Sequence, residues 1–307
     1  MSQINPQVAV IVVTFNSSKY VIETLESIKK QTWENLELII TDDCSTDNTV
    51  EICNKWLAEN EKRFIFSKMI TSLINTGISA NINRGIKSIT SSWLKLIAGD
   101  DNLLPNCITD NINYITTNSD ASFVFSKGER INNKSEVIGK TGFPKKQMQY
   151  DIDRQFKEML ITPFVFTPSA FIKANVFEKT GFFNENSPMI EDYPMWIRAT
   201  KVGFRMYYLD KETIQYRIHS ESVSANNNFE ININTFYANR KMLSSLNEIF
   251  NDEYLKDLKE QNFNKVLQLT KTKRKMIKSA INNHRLIFIF WLLIYKAMIF
   301  IYALTKS

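Results

Sequence analysis

Residues 93–102 read W-L-K-L-I-A-G-D-D-N, and this stretch organises the chain. Leu94, Leu96 and Ala98 alternate with other residue types, while Trp93 and Ile97 add strand-forming bulk, so the spacing predicts a β-strand. The strand runs into Gly99 and two adjacent carboxylates, Asp100 and Asp101. Asp is a poor strand residue and favours turns, which puts the pair where the chain leaves the sheet. In an α/β sheet that carboxyl edge is where ligands bind. Two side-by-side carboxylates repel each other, and a divalent cation relieves the repulsion. Hard oxygen ligands suit Mg²⁺ or Mn²⁺, which in turn attract a diphosphate. A solvated Asp-Asp turn is the plainer alternative.

Upstream, Gln7 to Phe15 reads as a buried strand closed by Asn16-Ser17-Ser18, and Tyr20 to Gln31 follows helical spacing. Leu36 to Thr41 is the next strand, ending in D-D-C-S-T-D at 42–47, where Ser45 or Asp47 can cap the helix predicted over Thr49–Asn60. Ile70 to Ile74 is strand-like, Asn75-Thr76-Gly77 is a turn, and Ser79 to Ser88 is a helix. This alternation predicts an α/β fold, a mostly parallel, Rossmann-like sheet flanked by helices. Neither G-x-G-x-x-G nor a P-loop occurs, which disfavours a dinucleotide or P-loop ATP site. Residues 126–182 are less legible. Within them, Phe164 to Ile172 reads as a strand region whose aromatics belong to the core. Further on, Glu191-Asp192 precedes Met195, Trp196 and Ala199 at amphipathic helical spacing, with Pro194 in the first turn where proline is tolerated. A strand-like R-M-Y-Y-L leads to Tyr216-Arg217-Ile218-His219.

The 307 residues, 44% hydrophobic and 23% charged, suit a globular catalytic domain with an appendage. Cys44, Cys53 and Cys107 lack metal-type spacing and are too few for a disulfide framework, which fits a reducing compartment. The N-terminus shows no secretory signal, so the protein is expected in the cytoplasm. The net charge of +6 is concentrated in Lys271, Lys273, Arg274, Lys275, Lys278 and Arg285. Without those six, the 38 Lys and Arg only equal the 32 Asp and Glu. A balanced main body argues against nucleic acid as a partner. A domain boundary near 228 is expected, with 229–307 a helical extension that carries the basic run 271–285. Leu286 to Leu304 is apolar apart from Lys296. Nineteen residues is near the minimum for a bilayer span, and Lys296 near its centre is costly. A monotopic helix held at an anionic membrane surface fits better. Packing on the catalytic domain or in a homodimer stays open.

Six stretches together resemble a family 2 glycosyltransferase of the A-type fold, of the kind that builds bacterial surface polysaccharides. They are V-A-V-I-V-V-T-F-N at 8–16, Q-T-W-E-N-L-E-L-I-I-T-D-D-C-S-T-D at 31–47, N-T-G-I-S-A-N-I-N-R-G-I at 75–86, A-G-D-D-N at 98–102, E-D-Y-P-M-W-I-R at 191–198 and Y-R-I-H-S-E-S-V-S at 216–224. The resemblance implies that Thr14 and Phe15, with Asn16 beside them, lie at the nucleotide base. It gives Asp43 an N–H of uracil to accept, a task a carboxylate can perform. It further implies that Asp101 contacts the metal directly and that Asp100 reaches the ribose or a metal-bound water. Asp192 becomes the catalytic base, with Glu191 as the alternative base or an acceptor contact. His219 would touch metal or diphosphate. Some family members place a basic residue just after the third-strand turn to meet the diphosphate; here I-S-A-N-I-N has none before Arg84, so that contact is either absent or supplied by Arg84 or Arg217. The expected activity is an inverting, metal-dependent transfer of a hexosyl or N-acetylhexosaminyl group. The donor is a UDP-sugar and the acceptor a hydroxyl of a polyprenyl-diphosphate-linked glycan. The setting is O-antigen or capsule synthesis at the cytoplasmic face of the bacterial inner membrane. A sugar nucleotidyltransferase and a non-catalytic nucleotide-sugar-binding partner are the alternatives.

Overall fold

The structure is a computed structural model that describes residues 5–142, 144–159, 164–185 and 192–219. Glu191 and the whole segment 220–307, with the helical extension, the basic run and the apolar stretch 286–304, lie outside the described residues.

The chain begins with β1 (Val8–Thr14), α1 (Val21–Lys29), β2 (Leu36–Asp42), α2 (Thr49–Asn60), β3 (Phe66–Thr71), α3 (Ile78–Ser88) and β4 (Trp93–Ala98). β1 pairs in parallel with both β2 and β4, and β2 with β3. The residues of β1 and β2 are almost all buried, as expected of central parallel strands covered on both faces, which read as near-continuous apolar runs. In α1, Val21, Leu25 and Ile28 recur at helical spacing and are wholly buried. Burying each such side chain stabilises the fold by about 1.5–3 kcal/mol. α3 approaches the sheet so closely that a Cβ on Gly85 would lie 2.5 Å from Ile11 Cγ2.

One expected boundary is corrected. The third strand is Phe66–Thr71 rather than Ile70–Ile74, and Leu73 and Ile74 are exposed. β3 is an edge strand, so backbone pairing to β2 sets its register and no apolar run marks its position.

The second half is mixed. It comprises β5 (Asn102–Leu103), α4 (Cys107–Thr117), β6 (Phe123–Ile131), β7 (Val137–Lys140), α5 (Lys145–Met148), α6 (Ile152–Met159), β8 (Phe171–Lys173), α7 (Val176–Thr180), α8 (Asp192–Lys201) and β9 (Met206–Arg217). The sheet order is β3-β2-β1-β4-β8-β6-β9-β5, with β7 on β6. The strand expected over Phe164–Ile172 is a 3₁₀ turn at Thr167–Ser169 followed by the three-residue β8. Pro168 lies in that turn and has no N–H to give a sheet ladder.

β4 and β5 are separated in sequence by only Gly99-Asp100-Asp101, yet four strand spacings apart in the sheet order. Laid flat, those spacings would measure about 19 Å, while the connection reaches at most about 14 Å. The sheet therefore curls, and the Asp100-Asp101 turn sits in the crook where its far edge comes round.

Candidate active site

The carboxyl ends of β2 and β4 each terminate in an Asp-Asp pair, and the fold treats the two pairs differently. Asp42 is wholly buried. It accepts hydrogen bonds from Thr14 Oγ1 at 2.8 Å and from the amide and hydroxyl of Ser45 at 2.8 and 2.5 Å. Asp43 accepts from the Thr76 amide and hydroxyl at 2.9 and 2.6 Å, the Gly77 amide at 2.6 Å and Arg84 Nη2 at 2.6 Å. Gly77 is the N-cap of α3, so Asp43 occupies the anion-binding helix N-terminus that a phosphate could otherwise use. Burial alone would raise the Asp43 carboxyl, but the hydrogen bonds from Thr76, Arg84 and Gly77 outweigh it and hold the group below its usual range. Four donors match the lone-pair capacity of a carboxylate. A base N–H arriving at Asp43 must displace or share one of them.

Around this end, Thr14 is 1% exposed and its hydroxyl is turned onto Asp42, so its side chain is sheet structure rather than a base contact. Asn16, at φ +50°, accepts the Thr46 amide at 2.8 Å through Oδ1, while its own amide donates to Ser45 Oγ at 2.8 Å. The N-cap of α2 is Asn48 rather than Ser45 or Asp47, and Asp47 just ahead of it accepts the Thr49 and Ser18 amides at 3.0 and 3.1 Å. Phe15 leaves the end of β1 about half exposed. Arg84 belongs to this cluster through Asp43 and Thr76.

The β4 end is built differently. Asp100 is part-exposed, and its Oδ2 lies 3.0 Å from His219 Nε2. Asp101 is 2% exposed and accepts the Arg217 amide through Oδ1 at 2.8 Å. Burial, reinforced by the Asp100 charge, pushes the Asp101 carboxyl well above its usual range. The expected division of labour is thereby altered, because Asp100 presents its carboxylate beside His219 and Asp101 is an inward anchor. Gly99 is required by close approach, since a Cβ there would lie 2.9 Å from Thr14 Cγ2 and from Ser17 Oγ.

The expectation that Arg217 meets the diphosphate is corrected. Its side chain is fully buried. Nε donates to the Asp100 carbonyl at 2.7 Å, Nη1 to the Asn132 carbonyl and Ser135 Oγ at 3.1 and 2.9 Å, and Nη2 to Glu23 Oε2 at 2.7 Å. The guanidinium fork is used to knit α1, the β6–β7 turn and the Asp100 turn together. Glu23 was not legible as a site residue, because it sits in α1, 194 positions from its partner.

Asp192 is the first residue of α8 and part-buried, where a carboxylate favours the positive end of the helix. Two bonds lead from this helix to β4. Trp196 Nε1 donates to Thr167 Oγ1 at 3.1 Å, and Lys95 Nζ donates to the Pro168 carbonyl at 2.5 Å. Asn83 of α3 fastens the preceding segment, exchanging hydrogen bonds of 2.8 and 3.0 Å with the Phe183 main chain. Lys95 is wholly buried in β4, and burial pushes its pKa down to about 8. Sequence alternation marked that position only as the polar member of the strand.

Among the described residues, no three His, Cys, Asp or Glu side chains gather as a metal cluster. The Asp100–His219 pair nonetheless fits Mn²⁺ or Mg²⁺. One carboxylate oxygen and one imidazole nitrogen lie side by side, and such ions complete their shells with substrate phosphates and water.

Comparison with known proteins agrees with this architecture. The chain is 30% identical over 234 residues to an uncharacterised glycosyltransferase of Haemophilus influenzae, covering 74% of this chain and 70% of that protein. Its fold is similar to the crystal structure of S. aureus TarS 1-349 in complex with UDP-GlcNAc, with a TM-score of 0.58, 18% identity and coverage of 89% of this chain and 81% of that one. It is also similar to the mannosyltransferase PcManGT from Pyrobaculum calidifontis in complex with GDP-Man and Mn²⁺, with a TM-score of 0.54, 18% identity and coverage of 76% and 61%. The family described as Glycosyl transferase family 2 matches residues 9–181, more than half the chain, and the protein belongs to that glycosyltransferase family.

Proposed function

We propose that the protein is an inverting, metal-dependent transferase that moves a hexosyl or N-acetylhexosaminyl group from a UDP-sugar to a hydroxyl of a glycan acceptor. The observation that carries this reading is the Asp100–His219 pair at the carboxyl end of β4, 3.0 Å apart and part-exposed, in a chain of glycosyltransferase fold. The UDP-GlcNAc in the similar TarS structure favours uridine over the guanosine of PcManGT. Phe15 packs beside the base, and Asp43 accepts a base N–H by sharing the place of a Thr76 or Arg84 donor.

Asp100 and His219 would hold the divalent ion, which when bound supplies charge neutralisation for the departing diphosphate. Asp101 anchors the turn from within. Asp192 takes the proton of the acceptor hydroxyl as that oxygen forms its bond to the anomeric carbon. The bond from that carbon to the diphosphate breaks on the opposite face, UDP leaves with the electron pair, and the anomeric configuration inverts. Glu191 is the neighbouring acid that would orient Asp192 or the acceptor.

The acceptor we propose is a polyprenyl-diphosphate-linked glycan of O-antigen or capsule synthesis. The site is the cytoplasmic face of the inner membrane, and the basic run 271–285 with the apolar segment 286–304 provides the attachment. Among the described residues no helix is long and apolar enough to cross a membrane, and 286–304 lies outside them. The test is UDP release from a panel of UDP-sugars with lipid-linked acceptors. Transfer is expected to require Mn²⁺ or Mg²⁺ and to be lost in Asp192→Asn. Near-normal transfer by that variant would remove Asp192 as the base.

A further inference from the structure

We infer that Glu23 is a positioning residue of the transferase site, one that neutralises the buried Arg217 guanidinium so that its charge does not compete with the divalent cation for Asp100. The inference rests on the metal reading given above. Arg217 stands between two kinds of acid. On one side its amide donates to Asp101 Oδ1 at 2.8 Å and its Nε to the Asp100 carbonyl at 2.7 Å. On the other its Nη2 meets Glu23 Oε2 at 2.7 Å. His219 follows two residues later and returns to Asp100. The Asp100-Asp101 turn is thus tied to residues 217–219 by three contacts, one of them the Asp100–His219 pair itself.

A fully buried guanidinium left without a carboxylate is costly and seeks another. Among the described residues, Arg217 also bonds to Asp100 and Asp101, through the Asp100 carbonyl and the Asp101 carboxylate. Pairing there would place a fixed positive charge against the cation's own ligand. Glu23 prevents this. Ser135 Oγ donates to it at 2.5 Å, and Asn102 lies beside it. The Tyr20 ring from the same helix region packs over the guanidinium at 4.3 Å and against the His219 ring at 5.2 Å. Ser135 can make its contacts because it sits at φ +64° in the turn between β6 and β7. α1, a helix remote in sequence from both acids, thereby sets the electrostatics of the pair. Outer partners of metal ligands change metal affinity by about 10–100-fold when removed.

The test is Mn²⁺ binding to the full-length protein in the presence of UDP, read from loss of the free-ion electron paramagnetic resonance signal. This readout needs no turnover. Glu23→Gln, which keeps shape and loses charge, is expected to weaken Mn²⁺ about 10-fold, and Glu23→Asp to recover most of the affinity. Ser135→Ala, which loosens Glu23 without altering charge, is expected to weaken Mn²⁺ by a few fold, and it decides the matter if Glu23→Gln does not fold. Unchanged affinity in folded Glu23→Gln, or in Ser135→Ala should that variant alone fold, overturns the inference while leaving the metal reading standing. Wild-type protein that takes up no Mn²⁺ with UDP overturns both.

Discussion

The ends of β2 and β4 carry the same dipeptide at the same edge of the sheet and put it to opposite uses. At Asp42-Asp43 the protein supplies every partner the two carboxylates need, from Thr14, Ser45, Thr76, Gly77 and Arg84. At Asp100-Asp101 it supplies main-chain anchoring and one imidazole, and the Asp101 carboxyl is driven upward by burial and by its neighbour's charge. The first pair has its carboxylates filled with hydrogen-bond donors, whereas in the second Asp100 is left part-exposed beside His219. Pairing of acids in a sequence therefore does not by itself say how the folded chain uses them. The donors around each pair do.

That contrast can be broken most directly by exchanging each acid for its amide. Asp100→Asn is expected to lower transfer by about 10²–10³-fold, the scale of losing one electrostatic stabiliser. Its unfolding midpoint without metal should stay near that of the wild type, because charge repulsion is relieved. Asp43→Asn should show the reverse emphasis, losing about 1–3 kcal/mol of stability in denaturant titrations as Thr76, Gly77 and Arg84 lose a charged acceptor. Its sign with pH is fixed by the lowered carboxyl. The stabilisation from Asp43 is present above the unfolded value near 3.9 and lost as pH falls through the folded one. Asp43→Asn should accordingly flatten the acid limb of the stability profile. A fold that tolerates Asp43→Asn but collapses with Asp100→Asn would invert the comparison.

Lys95 sharpens it from beneath the β4 end. With a folded pKa of about 8 against roughly 10.4 unfolded, the unfolded chain binds this proton more tightly. The cost is full near neutral pH and is relieved as pH rises through 8 toward 10.4. Relative to Lys95→Met, the wild type should gain about 2–3 kcal/mol between pH 7.5 and 10, measured by denaturant unfolding at each pH. The last expected effect is one of packing, at Gly85 beside Arg84. Gly85→Ala should cost about 1–3 kcal/mol through overpacking against Ile11, read from the thermal midpoint.

The half of the fold built from β1 to β4 was legible because its cues are local. Apolar runs mark β1 and β2, and the predicted helix at Thr49–Asn60 matches α2. β3 shifted because an edge strand carries little apolar signal of its own. The later half resisted reading because its elements are defined by remote partners, as β8 is by three residues of β4. The same division holds at the site. Asp43, Asp100, Asp192 and His219 stand in recognisable motifs. The guanidinium of Arg217 looked like a phosphate fork, because nothing nearby in sequence announces Glu23 or Ser135. Lys95 passed as an ordinary strand residue, because its acceptors at 168 and 170 come from a segment with no regular pattern.

The two-residue β5 carries a consequence out of proportion to its length. It pairs with β9 through Asn102↔Gln215 and Leu103↔Ile214, extended by the Leu104 amide on the Thr213 carbonyl at 2.9 Å, directly downstream of the acids, while His219 follows two residues after the end of β9. This brief zipper braces the arch. Prising it apart would leave Asp100 and the imidazole held together by the Arg217 contacts to the turn without the strand pairing beneath them. Substitutions at positions 102, 103, 214 and 215 should therefore weaken the enzyme in ways that resemble direct damage to its chemistry.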